Sequence, residues 1–141
     1  MKPLILVGGG GHCKSVIDVA ESMGHSILGI LDLPKNVGHF ILGYPVLGTD
    51  DDIHLFVNQA DFIVTVGFIK ESSLRLKIHD KIRTSGGHLG TLIASTAYVS
   101  RHAQIGAGTV VMHHAFVNAG ARIGSGCIIN TFVNVEHDAL I

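Results

Sequence analysis

From residue 93 onward an aliphatic side chain returns at every sixth position: Ile93, Val99, Ile105, Val111, Val117, Ile123, Ile129, Val135 and Ile141. Four residues after each of the first eight stands a small or slim one, namely Ala97, Ala103, Thr109, Ala115, Ala121, Cys127, Val133 and Ala139. A six-residue period matches neither the helical repeat nor the alternation of a hairpin meander, and it predicts a parallel β-helix built from hexapeptides. Each hexad supplies one short strand to a face of a triangular prism, three hexads close a coil, and coils stack about 4.8 Å apart. The aliphatic side chains fill the axis and the small ones turn the corners, with Gly106, Gly108, Gly120, Gly124 and Gly126 in between. Eight hexads make two and two-thirds coils, and Ile141 brings no polar cap. That predicts a C-terminally truncated chain whose natural form continues through further coils.

The first 90 residues follow another rhythm. Pro3 to Val7 predicts a buried strand, followed by Gly8 to Gly11 and a helix from about Cys13 to Met23 with Val16, Val19, Ala20 and Met23 on its inner face. Gly24 stops that helix. Strands are predicted from Ser26 to Leu31 and from Asp61 to Val66, a short helix capped by Asp50 through Phe56, and a later helix from Glu71 to Arg83 with Leu74, Ile78 and Ile82 inward. Strand–helix alternation gives a small Rossmann-like, doubly wound parallel α/β domain over 1–90, then an incomplete β-helix over 91–141, with residues 86–91 as the bridge.

Composition narrows the functional class. With 47% hydrophobic and 15% charged residues and a net charge of −1, the chain resembles neither a general nucleic-acid binder nor a membrane-surface protein. No apolar run approaches a membrane span, and the Leu4–Val7 stretch is too short for a signal peptide. Cys13 and Cys127 are distant in sequence, which fits a reduced, cytoplasmic protein.

A strand, a glycine-rich turn and a helix form an anion site, because backbone N–H groups and the helix dipole converge there. The dinucleotide fingerprint laid on Gly8 and Gly10 would require glycine where Cys13 stands, which argues against a dinucleotide. Asp32 follows Gly11 by 21 residues at a strand end, where it can meet a ribose or base. His12, at the helix start, reads either as a phosphate ligand or as a surface residue. In the repeat, His137 lies two places past the axial Val135 and is free to project outward as a general base. Asp138 or Glu136 would orient it and stabilise its cation, while Asn130 binds substrate or orders the site. His113 and His114 fall on another face of the prism from His137. No spacing specifies a tetrahedral metal site, so no metal is assigned.

Taken together, Gly10-Gly11-His12, Leu31-Asp32, Val66-Gly67 with Arg75 beyond, Ile129-Asn130-Thr131 and Val135-Glu136-His137-Asp138 resemble the bacterial sugar O- and N-acetyltransferases of the sialic acid and UDP-amino-sugar type. The resemblance covers essentially the whole chain. It implies a left-handed β-helix, a homotrimer, a first domain that holds a nucleotide-activated sugar through Gly10, Gly11, His12, Asp32 and Gly67, and acetyl-CoA as co-substrate between neighbouring prisms. It favours Asp138 as the partner of His137, and it places the reaction in cell-surface glycan synthesis. A chain that binds the nucleotide sugar and trimerises without turnover is the alternative.

Overall fold

A computed structural model describes residues 1–66 and 72–141. The N-terminal unit is a five-stranded sheet of β1 (Leu4–Val7), β2 (Ile27–Leu31), β3 (Phe40–Ile41), β4 (Tyr44–Gly48) and β5 (Asp61–Val64), in the order β3-β4-β2-β1-β5. All neighbours are parallel except β3 and β4. Helix α1 (Gly11–Ser22) connects β1 to β2, and helix α2 (Ser72–Thr84) follows β5 on the way to the C-terminal unit. The unbroken apolar run LILV is buried at every position of β1, as a central parallel strand requires.

Local departures from the sequence expectation have identifiable causes. The β3–β4 hairpin, not anticipated, turns on Leu42 and Gly43, both with positive φ (49° and 88°). Two positive φ values define the tight hairpin turn that matches strand twist, but leucine is a poor occupant of that conformation and conceals the signal. Ile17 takes the buried place on α1, while Met23 is its C-cap and is exposed. The short 3-10 helix Asp50–Leu55 is capped by Thr49, not Asp50, through a capping box with Asp52. On α2, Leu74 is exposed and its neighbour Arg75 is buried.

The C-terminal unit is a left-handed parallel β-helix with an 18-residue coil. One face stacks β6 (Leu92–Ile93), β9 (Val110–Val111) and β12 (Ile128–Ile129). A second stacks β7 (Tyr98–Val99), β10 (Phe116–Val117) and β13 (Asn134–Val135), and the third stacks β8 (Gln104–Ile105) and β11 (Arg122–Ile123). Register is strict: Val99 meets Val117 and Val117 meets Val135, one coil apart. The hexad residues Val111, Val117, Ile123, Ile129 and Val135 form the axial core together with Ala115 and Ala121 at the corners.

The two units share one core. Leu4, Leu6, Val16, Val19 and Ala20 of the sheet and α1 pack with Leu92, Ala94, Val110 and Met112 of the prism. Beside this seam Arg75, 2% exposed, donates from Nη1 to the carbonyls of Val64 and Val66 and from Nη2 to that of Gly126, at 2.8, 3.0 and 3.0 Å. One guanidinium therefore ties α2, the end of β5 and a prism corner. Replacing it with a shape-matched apolar side chain leaves carbonyls without donors. Arg75→Met should destabilise the chain by about 3 kcal/mol or more, read from the urea midpoint. A shift below about 0.5 kcal/mol would show that the tie contributes little.

Candidate functional site

The carboxyl ends of β1, β2 and β5 meet at the topological switch point of the sheet, the usual ligand crevice of parallel α/β folds. Here a cleft of about 120 Å³ is bordered by Val7, Gly8, Asp32, Pro34 and Val66, with Leu74 and Ile78 of α2 closing one side. Gly8 has φ of 122° and its N–H donates to the Leu31 carbonyl at 2.8 Å, while its carbonyl accepts from Thr65 Oγ1 at 2.6 Å. The next residue admits no side chain, because a Cβ on Gly9 would collide with the Asp32 carboxylate. Asp32 is held from the other side by Asn36 Nδ2 at 2.9 Å.

Gly10 is the N-cap of α1 and makes no side-chain cap bond; no acidic residue occupies the first turn. A Cβ on Gly10 or Gly11 would meet nothing within 4 Å. The open N–H groups of this first turn are thus available to an anion. Cys13, where the dinucleotide pattern would have glycine, points into the core, and burial pushes its thiol up to about 11. His12 is half-buried, with Nε2 lacking a hydrogen-bond partner among the described residues. Burial, then the nearby charge of Arg75, hold its imidazole below the usual histidine range, so it is a neutral group at physiological pH. The structure thus brings Gly9, Gly10, Gly11, His12 and Asp32 together around one strand–turn–helix. Gly67 lies outside the described residues.

The second cluster is on the prism. His137 Nδ1 lies 3.1 Å from Asp138 Oδ2, with the two side chains 72% and 79% exposed. Glu136, the other carboxylate considered from sequence, instead accepts from Asn134 Nδ2 at 2.7 Å. Asp138 adopts φ of 61° and donates its N–H to the Ala119 carbonyl at 3.1 Å. One coil below, Gly120 makes room for it, since a Cβ there would strike the Asp138 carboxylate. Gly120 is thereby a positioning residue that the sequence presented only as one of several corner glycines.

His137 follows β13, on the edge between the β7–β10–β13 and β8–β11 faces. That edge is opposite the β6–β9–β12 face on which α1 packs. Asn130 follows β12, on a different edge, and is exposed. Within one chain, therefore, neither the glycine turn nor Asn130 adjoins His137. The exposed outward face between these edges carries Tyr98 and Phe116, stacked at 5.3 Å, and beside them Phe132, stacked on His114 at 5.2 Å. His113 is engaged on both ring nitrogens, with Thr96 Oγ1 at 2.7 Å and Asp18 Oδ2 at 3.0 Å, bridging prism and α1. No helix among the described residues is long and apolar enough to cross a membrane.

A family model described as the PglD N-terminal domain matches residues 3–82. Among solved structures, a histidine-to-asparagine variant of perosamine N-acetyltransferase from Caulobacter crescentus, in complex with CoA and GDP-perosamine, is 32% identical with a TM-score of 0.89, covering 99% of this chain and 65% of that one. PerB from the same organism, with the same two ligands, is 33% identical with a TM-score of 0.88, again over 99% and 65%. The acetyltransferase domain of PglB from Neisseria gonorrhoeae, in complex with acetyl coenzyme A, is 35% identical with a TM-score of 0.87, over 99% and 66%. The chain spans just under two thirds of the length of these three relatives. No curated protein matches it by sequence.

The depressed histidines give the stability a pH signature. His12 and His79 both titrate below the ordinary value of 6.5, mainly because of burial, so below that pH the unfolded chain binds protons that the folded chain does not. Their contribution is full above 6.5 and is lost as pH falls beneath it. Urea midpoints should hold between about pH 7 and 8 and drop by about pH 5. The His12→Gln, His79→Gln double variant should show a shallower drop; an unchanged slope would contradict the assignment.

Proposed function

We propose that this chain, which belongs to the PglD N-terminal domain family, acts as an acetyl-CoA-dependent acetyltransferase on the amino group of a nucleotide-activated sugar. The observation that carries this reading is the His137–Asp138 pair: an exposed imidazole with one nitrogen against a carboxylate, on a β-helix joined to a domain with an open anion-binding turn. The named ligands of the relatives, CoA with GDP-perosamine and acetyl coenzyme A, support the same substrate classes.

In this reading the diphosphate lies on the first-turn N–H groups at Gly10 and Gly11, and His12 adds a neutral hydrogen-bonding group. Asp32, clamped between Gly9 and Asn36, accepts hydrogen bonds from the ribose hydroxyls or the base. Gly67, in the segment that follows β5, belongs to the same substrate-binding group. Asn130 contacts or orders the sugar end. The sugar amine attacks the thioester carbonyl carbon as His137 Nε2 removes its proton. The C–N bond forms, the C–S bond breaks, and the imidazolium returns that proton to the departing CoA sulfur. Asp138 fixes the ring and stabilises its cation while the proton is held there.

The positions of the two clusters favour an assembly. The turn and His137 lie on opposite sides of one prism, so a site that uses both draws the nucleotide-sugar domain from one copy and the base from its neighbour. A homotrimer of prisms joined through the aromatic β7–β10–β13 side supplies that arrangement, and acetyl-CoA lies in the groove between copies. Acetyl-CoA and nucleotide sugars are cytoplasmic metabolites, which places the reaction there.

In the full-length protein, His137→Ala should lower kcat by about 100-fold or more with little change in Kd for either substrate. Asp32→Ala should weaken nucleotide-sugar binding about tenfold by calorimetry while leaving Tm in place. Parental turnover in His137→Ala would remove it as the base. Parental affinity in Asp32→Ala would remove the carboxylate from the nucleotide site. Nucleotide-sugar binding with no turnover in the parent would leave a binding and trimerising module.

A further inference from the structure

A second cavity among the described residues belongs to neither cluster. It is a cleft of about 490 Å³ between α2, the Gly87–Leu89 turn and the prism corner at Ala107 and Ser125, within the roughly 300–1,000 Å³ typical of small-molecule sites. Its floor is closed and its rim is open: Ile82 and Arg75 are 1% and 2% exposed, whereas Arg83, His88 and Ala107 are exposed. Leu76, Ile82 and Leu89 make its walls mostly apolar.

The charged groups that interrupt this apolar surface are two guanidiniums and one carboxylate. Arg75, Arg83, His79 and His88 border the cleft against a single carboxylate, Asp80, which pairs with Arg83 at the rim. The Arg75 guanidinium is fixed in the floor by its carbonyl bonds, so its charge does not withdraw. His79 adds an unused hydrogen-bonding atom: its Nε2 is buried without a partner among the described residues, although buried polar atoms are nearly always satisfied. The ring lies over Gly126, where a Cβ would come within 3.2 Å of Cε1, so the glycine leaves room for the imidazole at this corner. Burial, reinforced by Arg75, keeps it neutral.

An apolar cleft with a fixed guanidinium in its floor, a second guanidinium at its rim and one unsatisfied neutral imidazole selects for a particular ligand chemistry. We infer that this cleft binds a small amphiphilic anion, an apolar body bearing one carboxylate, sulfonate or phosphate group. The apolar body would occupy the space beside Ile82 and Leu89, and the acid group would face the rim guanidinium of Arg83. Nothing in this assignment depends on the acetyltransferase reading, and the two can fail separately.

Fluorescence titration with anilinonaphthalene sulfonate, and with the uncharged N-phenylnaphthylamine of similar shape, tests it. The sulfonate should bind to one saturable site. Ala107→Trp, on an exposed corner, should fill the opening and weaken both probes by about tenfold or more. Ser125→Trp, one coil further along the same corner, provides the block if the first variant folds poorly. Arg83→Gln should weaken the sulfonate about fivefold or more while leaving the uncharged probe within about twofold. Unchanged affinity in both tryptophan variants, or equal losses for the two probes in Arg83→Gln, would overturn the inference.

Discussion

Leu92, Val110 and Ile128 stack one coil apart on the outside of the prism and pack against Val16, Val19 and Ala20 of α1. The outer face of a β-helix ordinarily meets water, and burying each of these side chains is worth about 1.5 to 3 kcal/mol. That contact decides the rest. It chooses which face carries the N-terminal domain, fixes α1 and with it the glycine turn relative to the solenoid, and leaves the other two faces and the far edge open. Arg75 then locks α2 to the next corner through Gly126, so the domain is held along two lines and cannot pivot about one.

Function follows from what this docking separates. The switch-point cleft with Asp32 and the His137–Asp138 edge are each well formed, but one prism stands between them. In the proposed function, a chain built this way offers the anion-binding half of a site and the base-bearing half of another, facing different directions. The exposed Tyr98–Phe116 and His114–Phe132 stacks lie on the side leading from one to the other. An enzyme that joins the half-sites does so across copies, and the symmetry of a closed ring then makes every contact between neighbours equivalent.

Much of this was legible in the chain because its periods are rigid. A six-residue repeat tolerates no helix and no hairpin, so the axial residues from Ile93 to Val135 could be assigned without reference to anything else. The outward rows carry a second message at the 18-residue period: Leu92, Val110 and Ile128 are all apolar, whereas Gln104 and Arg122 are polar. That contrast marks the covered face, and the axial pattern masks it. The β3–β4 hairpin was hidden by leucine at a positive φ. Arg75 was hidden because an arginine on a helix normally means a solvated face; only the carbonyls waiting at Val64, Val66 and Gly126 make it a core residue. At the candidate site, the glycine turn, Asp32 and His137 were legible from local spacing, whereas the spacing left Asp138 and Glu136 open as partners and the resemblance favoured Asp138. The close approaches at Gly9 and Gly120, and the buried state of His12, depend on contacts between distant segments, which spacing does not report.

Mixing two disabled copies tests the central claim most directly, that one site is assembled from the N-terminal domain of one chain and His137 of another. Full-length Asp32→Ala and His137→Ala variants, which at low nucleotide-sugar concentration should keep about a tenth and about a hundredth of parental activity, are co-refolded in equal amounts and assayed there for acetyl transfer. Random assembly across copies predicts recovery of about a quarter of the parental activity, because that share of the interfaces pairs an intact turn with an intact histidine. No recovery, with mixed oligomers demonstrated to form, would contradict the account and return both half-sites to a single chain.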